Sequence, residues 1–309
     1  MVKLQRPKYL WFGGRIAEWD EARFHVSSEA VVRGLNVFEG LRGYWQPDGS
    51  FGFVALPRHW ARLKRSAKLL HIPFDMTCQE WIDANHSLVR TMYEPGRSMW
   101  TRATLYVEEG HWGEGTKSNL VLTAYHVLEM PTSIATGVST WQRGADNALP
   151  ARIKTSSNYQ VTRLAKIEGR SRGYPEMVLL NQHGRVAEAI GSCLLLVRNG
   201  RVITPPWWEG ALESITVDIV EELCKTMRIP FERRPIERTE LIIADEMAFV
   251  GTLNEITLIS EVDGNKLDEA GVLKSIAERY RSAVHGVEAH PAVDMDCRPF
   301  EQMLSVAAE

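Results

Sequence analysis

The chain has 309 residues, 44% of them hydrophobic and 24% charged, with a formal net charge of −3, the make-up of an ordinary globular protein with room for one large or two medium domains. Basic runs are short and interrupted by acids, so there is no general attraction to nucleic acid or to an anionic membrane. Cys78, Cys193, Cys224 and Cys297 stand far apart without C-x-x-C spacing, which argues against a zinc site or redox motif and suits a reducing, cytoplasmic location. The opening "MVKLQRPKYLWFGGR" holds no apolar core of signal-peptide length, and no run of about 20 apolar residues follows that would span a membrane.

In chain order, "YLWFGGRI" predicts two short strands around a Gly-Gly turn, and "FGFVAL" another strand. "PRHWARLKRSAKLLHI" places Trp60, Leu63, Ala67 and Leu70 at helical spacing, with Pro57 in the first turn. "QEWIDANHSLVRTMY" repeats that periodicity, and "MWTRATLYVEEG" and "NLVLTAYHVLEM" read as strands. Periodicity is lost over 129–136, "EMPTSIAT", so a linker is expected there between an N-terminal domain, 1–128, and a larger one, 137–309. In the second part "GVSTWQR" is strand-like and "NYQVTRLAKIEGRSRG" helical. The segment 176–206 then reads as strands joined at His-Gly and Asn-Gly turns. "SITVDIVEELCKTMRI" is an amphipathic helix, "DEMAFVGT" and "ITLISEVDG" are strands, and "EAGVLKSIAERYRSAVHG" closes as a helix. The expected class is α+β, in two halves with antiparallel sheets. No glycine-rich phosphate loop of dinucleotide or Walker type appears. The histidines show no H-x-H or H-x-x-x-H spacing, so no metal is expected.

One lysine raises a chemical question. In "PARIKTSSNY", Lys154 stands among small hydroxylated residues just ahead of a helix. Most such lysines are exposed and inert, but a lysine that forms a Schiff base must act as a free amine near neutral pH. An enzyme using pyridoxal phosphate needs further parts: an acid for the ring nitrogen and a cradle for the phosphate. Glu188, in "HGRVAEAIGS", follows a strand-turn-strand pattern. Arg62 lies on the helix "RHWARL", and Thr252 follows an apolar strand in "VGTLNE". Ser214 or Thr216 stands near the start of the helix "ESITVDIVEEL", where free N–H groups and the dipole favour an anion. Each also has an ordinary reading: a solvated acid, a basic helix face, a strand-end hydroxyl and a helix cap.

Their joint order resembles the class IV, fold-type IV pyridoxal phosphate aminotransferases, most closely the branched-chain amino acid aminotransferases. The resemblance runs through "YLWFGGRIAEWDEARFHV", "NVFEGLRGYW", "RHWARLKRSAKLL", "IKTSSNY", "GRVAEAIGS", "ESITVDIVEEL" and "VGTLNEIT", over about residues 8–285. It implies two α+β domains, the larger barrel-like, with antiparallel or mixed sheets. It implies that Lys154 holds the cofactor and shuttles the proton, Glu188 pairs with the pyridinium nitrogen, and Tyr159 bonds the ring hydroxyl. Arg62, Ser214, Ile215, Thr216 and Thr252 would hold the phosphate. Phe38, Arg42, Trp100 and Arg102 would line or border the substrate pocket. It further implies a homodimer, with the 107–115 loop crossing toward the neighbour, and an amino acid donor with a 2-oxo acid acceptor such as 2-oxoglutarate.

The chain departs from the branched-chain pattern at three places. It has Arg33 where an aromatic residue is usual, Leu253-Asn254 where small residues are usual, and Ser192-Cys193 where Glu-Asn is usual. Arg33 suits bidentate capture of a substrate carboxylate, and Leu253 would narrow the pocket. The leading expectation is a transaminase for branched-chain or other apolar L-amino acids. A D-amino acid or amine transaminase of the same fold, or a lyase resembling aminodeoxychorismate lyase, are the alternatives.

Overall fold

The computed structural model describes residues 6–127, 131–269 and 271–299, and these form two compact units. The first unit takes the described residues up to 127, the stretch Lys154–Ser157, and those from Ala283 on; the second takes the rest. Among the described residues no helix is long and apolar enough to cross a membrane.

The first unit contains β1 (Tyr9–Phe12), β2 (Arg15–Glu18), α1 (Glu29–Val32), β3 (Asn36–Trp45), β4 (Ser50–Val54), α2 (Leu56–Leu69), α3 (Cys78–Arg90), β5 (Met99–His111) and β6 (Glu114–His126). A C-terminal strand, Met295–Pro299, completes one sheet in the order C-terminal strand, β4, β3, β5, β6, β1, β2, with every neighbour antiparallel. The Gly-Gly turn forms as expected: Phe12 pairs with Arg15 around Gly13 and Gly14, at φ +60° and +84°, angles that side-chain-bearing residues rarely adopt. α3 starts in a capping box, in which the Thr77 hydroxyl accepts from the Glu80 amide and the Glu80 carboxylate accepts from the Thr77 amide. Alternation divides the two sides of β3. Val37, Glu39 and Leu41 lie on the side covered by the helices, where Glu39 bonds α2 and Thr101 of β5 bonds Asn85 of α3. Phe38, Gly40 and Arg42 lie on the other side.

The second unit contains β7 (Ser133–Gln142), α4 (Tyr159–Ser171), β8 (Glu176–Leu180), β9 (Val186–Ala189), β10 (Cys193–Arg198), β11 (Arg201–Thr204), α5 (Ile215–Met227), β12 (Phe231–Arg233), β13 (Glu246–Gly251), β14 (Glu255–Val262), β15 (Asn265–Lys266) and, up to Ser282, α6 (Val272–Val284). The strand order is β12, β11, β10, β13, β14, β7, β8, β9, with β15 beside β14. Leu194 and Leu196 of β10, Met247 and Phe249 of β13, Val178 and Leu180 of β8 and Val138 of β7 meet in a single core cluster, as in a sheet curled into a half-barrel. Each fully buried Leu, Met or Phe side chain there contributes about 1.5–3 kcal/mol.

Three expectations are corrected. The antiparallel pairing read from local patterns holds in the first unit but not in the second, where pairing is mixed, as the family resemblance allowed: β7 runs parallel to β8 and β14, and β11 to β12. Helical crossovers α4 and α5 join β7 to β8 and β11 to β12, and a crossover is what parallel neighbours require. Residues 133–136, expected in the linker, open β7 opposite β14, because long-range pairing overrides weak local periodicity; residues 129 and 130 lie outside the described residues. Residues 283–299, expected in the larger domain, fold with the first unit, since Met295–Pro299 supplies the outer partner of β4.

Candidate active site

In the first unit the backbone of Lys154 is held on both sides. Its carbonyl accepts from the Phe38 amide at 2.9 Å, and its own amide donates to the Ser66 hydroxyl on α2 at 3.2 Å. Two residues on, the Ser156 hydroxyl donates to the side-chain oxygen of Asn36 at 2.7 Å. The Lys154 ammonium nitrogen lies 5.0 Å from the centre of the Phe38 ring, and the Arg102 guanidinium lies 4.0 Å from it. The same aromatic ring therefore serves two cations, each at a cation–π distance.

Register puts the expected substrate residues on this same side of the sheet. Arg102 stands opposite Gly40, and Trp100 opposite Arg42. The Trp100 ring stacks on Tyr125 with centroids 5.4 Å apart, and a side chain at Gly40 would begin 3.2 Å from the Trp100 indole nitrogen. The result is an aromatic surface carrying two guanidinium groups and an amine, suited to a small molecule with an apolar body and a carboxylate.

The helix side of β3 holds a charged cluster that sequence reasoning did not find. Glu39 is 0% exposed and Arg62 is 4% exposed. Arg62 donates through Nε to Oε1 of Glu39 at 2.7 Å and through Nη2 to Oε2 at 2.8 Å, while His59 Nδ1 lies 2.7 Å from Oε2. Burial alone would raise the Glu39 carboxyl, but the charge and hydrogen bonds of Arg62, with those of His59, outweigh it and hold the group well below the usual carboxylate range. Burial pushes His59 below the ordinary histidine value despite Glu39. Arg62, expected at a phosphate, thus has a built-in carboxylate partner.

Arg33 caps the C-terminus of α1, where its guanidinium donates to Glu29 one turn earlier and lies 4.6 Å from the centre of the Trp112 ring. Trp112, at the tip of the β5–β6 hairpin, is 77% exposed. Arg33 is accordingly engaged with a carboxylate and an aromatic ring of its own unit. A guanidinium carries five N–H donors, so the Nη1 contact with Glu29 leaves room for capture of a substrate carboxylate. Replacing Arg33 with tyrosine is expected to shift preference toward aliphatic amino donors, as read by initial rates across a donor panel; an unchanged ranking would leave Arg33 a rim residue.

In the second unit Glu188 lies on β9 and is 7% exposed. Its Oε2 accepts from the Leu212 amide at 2.9 Å, and its Oε1 lies 2.7 Å from Nη2 of Arg143. Arg143, just past the end of β7, is another residue that sequence reasoning missed; nothing in "TWQRG" distinguishes it from other strand-end arginines. Tyr159 opens α4 and is half-buried. Ser214 caps α5, its hydroxyl accepting from the Val217 amide at 3.2 Å. The amides of Ile215 and Thr216, ahead of any intrahelical acceptor, remain at the positive end of the helix dipole. Thr252 and Leu253 sit in the β13–β14 turn, with Leu253 38% exposed. A side chain at Gly251 would begin 3.4 Å from Cβ of Ser192, and the Ser192 hydroxyl is buried with no hydrogen-bond partner among the described residues.

The family model for Amino-transferase class IV matches residues 36–262. The branched-chain-amino-acid aminotransferase of Salmonella typhimurium (strain LT2) is 30% identical over 293 residues, covering 92% of this chain and 94% of its own. Among solved structures, the branched-chain aminotransferase of Thermoproteus uzoniensis with norvaline superposes with a TM-score of 0.88 at 32% identity, over 93% of this chain and 98% of that one. The branched-chain amino acid aminotransferase of Thermobaculum terrenum in its PLP form superposes at 0.86 with 31% identity, over 94% and 98%. A model matching well over half of the chain, together with relatives of this identity along nearly its full length, leads to one conclusion: the chain belongs to the class IV aminotransferase family.

Proposed function

We propose that the protein is a pyridoxal phosphate-dependent transaminase that moves the amino group of a branched-chain or other apolar L-amino acid to a 2-oxo acid such as 2-oxoglutarate. The observation that carries this reading is the placement of Lys154 against Phe38, on the aromatic and cationic side of the sheet that also bears Trp100 and Arg102. The residues fit the cofactor by their chemistry. A buried carboxylate on Glu188 suits a protonated ring nitrogen, and the capped start of α5 with the Thr252 turn suits a phosphate. The orphaned Ser192 hydroxyl adds a donor beside that turn.

When bound, the cofactor supplies an electron sink for the carbon that loses its proton. Lys154 Nζ would hold the cofactor covalently and, once displaced by the substrate amine, take and return the proton at the substrate α-carbon. Glu188 would keep the ring nitrogen protonated: unit charges about 4 Å apart at an effective dielectric of 20 attract by about 4 kcal/mol before desolvation. Tyr159 would donate to the ring hydroxyl. Arg62, with the amides of Ile215 and Thr216 and the hydroxyl of Thr252, would bind the phosphate, and Arg62 would do so with its orientation already fixed by Glu39. Arg33, Phe38, Arg42, Trp100, Arg102, Thr252 and Leu253 would shape the substrate pocket. A homodimer is the proposed assembly, supported by the exposed indole of Trp112 at the hairpin tip.

Replacing Glu188 with glutamine is expected to lower kcat about a hundredfold while changing cofactor affinity less than about tenfold, because the carboxylate acts on charge in the reaction more than on binding. Steady-state rates and cofactor titration check both halves. The reading itself is tested by supplying L- and D-amino acids and simple amines with 2-oxoglutarate or pyruvate. Turnover of L-leucine, L-isoleucine or L-valine with 2-oxoglutarate is expected; turnover confined to D-amino acids or amines, or pyruvate release without an acceptor, would replace it with one of the alternatives.

A further inference from the structure

Arg143 makes contacts that no role assigned so far explains. It is 7% exposed, and its guanidinium reaches three separate segments of the second unit. Nη2 lies 2.7 Å from Glu188 Oε1 on β9. Nη1 donates to the carbonyl of Asn158, the residue before Tyr159, at 3.0 Å. Nε makes a longer contact, 3.5 Å, with the carbonyl of Gly210, in the loop that continues to Leu212 and the α5 cap. The backbone of Arg143 is itself fixed, its amide donating to the Leu180 carbonyl of β8 at 2.9 Å.

The connection extends further through Asn158, which is 3% exposed. The side-chain amide of Asn158 donates to the carbonyls of Pro150 and Ile153, at 2.9 and 3.0 Å. Ile153 immediately precedes Lys154 in the chain. The loop at 207–212 is pinned from its other side as well: Glu209, 2% exposed, accepts from Arg185 at 2.7 and 2.8 Å and from Asn181 at 2.6 Å. Gly210, at φ +92°, lets the loop pass close to Arg143, whose Cβ lies 3.5 Å from where a side chain would begin.

We propose that Arg143 is a positioning residue for the transamination reaction: its planar fork sets the carboxylate of Glu188, the peptide that leads into Tyr159 and the 207–212 loop in one register. Through Asn158 it also braces the peptide ahead of Lys154. This inference rests on the cofactor roles proposed above for Glu188, Tyr159 and Lys154. It differs from simple neutralisation of a buried carboxylate, which any cation of similar reach performs. A guanidinium offers diverging donors in a fixed plane, whereas an ammonium is a point charge on a flexible stem. A lysine at 143 can therefore balance the charge of Glu188 without spanning to the Asn158 carbonyl.

That difference supplies the test. Holoenzyme is prepared as wild type, Arg143→Lys and Arg143→Gln. For each, the release rate of pyridoxal phosphate into excess apo-acceptor, the pH dependence of the visible absorption band and the thermal melt are measured. Borohydride reduction and peptide mapping of the wild type establish which lysine carries the cofactor. The expected result is that Arg143→Lys melts close to the wild type, yet releases cofactor about ten- to a hundredfold faster, the size of one lost hydrogen bond to a charged group. The pH midpoint of its visible band is expected to move as well. Arg143→Lys matching the wild type in release rate and band titration overturns the inference and reduces Arg143 to a counter-charge, and this holds even where Arg143→Gln fails to fold. A wild-type protein labelled at a lysine other than Lys154 overturns the cofactor reading and this inference with it.

Discussion

Replacement of Lys154 by alanine is expected to lower transamination by at least about a thousandfold, since one side chain is assigned both the covalent hold on the cofactor and the transfer of the α-proton. The loss should come without loss of fold. The backbone ties of residue 154, its carbonyl to the Phe38 amide and its amide to Ser66, do not depend on the side chain, and the Phe38 ring retains Arg102. The variant should therefore melt near the wild type but show no lysine-linked cofactor after borohydride reduction. Mass spectrometry of the peptide spanning 150–159 reads the label directly. A label retained elsewhere, with activity reduced less than about tenfold, would move the reactive amine to another lysine.

Loss of the Glu39 carboxylate is expected to have the largest effect on stability. Glu39→Ala leaves Arg62 buried without its fork partner and His59 without its acceptor, and breaking a buried pair from one side costs about 3–5 kcal/mol. Denaturant unfolding of apoprotein, which isolates the effect from cofactor binding, should show the first unit unfolding at a clearly lower midpoint. A double variant, Glu39→Leu with Arg62→Met, should recover much of that stability, because an apolar pair of similar volume carries no desolvation penalty. The same cluster predicts a pH dependence. Both Glu39 and His59 have folded-state values below their ordinary ones, so the unfolded chain binds more protons than the folded one as pH falls. Their stabilising contributions are complete above the ordinary values and decline below them, His59 first as pH drops through the usual histidine range and Glu39 after it in the carboxylate range. Unfolding midpoints measured from pH 8 to pH 4 should fall in that order, and the Glu39→Ala variant should lose the carboxylate part of the slope.

The elements were legible where a local rule decides them. The Gly13-Gly14 hairpin and Pro57 at the start of α2 are short-range signals, and the structure places each where the sequence suggests. Pairing was less legible. The partner of Ser133 and Ile134 is β14, far along the chain, and no pattern within "EMPTSIAT" announces it. The same limit applies to the candidate site. Lys154 and Glu188 stand out because their neighbours are small or apolar, so a charged group there invites a reason. Glu39 lies in "NVFEGLRGYW", a strand whose alternation says which residues share a side but not that one side meets Arg62 and His59. Arg143 is invisible for a similar reason: its importance comes from three segments that converge only when the sheet curls. Arg33 stood out by residue type, whereas its partner Glu29, one turn earlier on α1, was not read from the sequence.

The C-terminal strand Met295–Pro299 has a consequence for how the nascent polypeptide acquires its shape. All five residues of β4 are buried, and one of the two edges of β4 is covered by this late segment. A ribosome emits the amino-terminal end first, so Phe51 and Phe53 leave the exit tunnel long before their outer neighbour exists. The unit begun first is thus finished last, and an open, apolar strand edge must wait through synthesis of the entire intervening unit. Such an edge is a template for wrong pairing between growing chains until residue 299 appears.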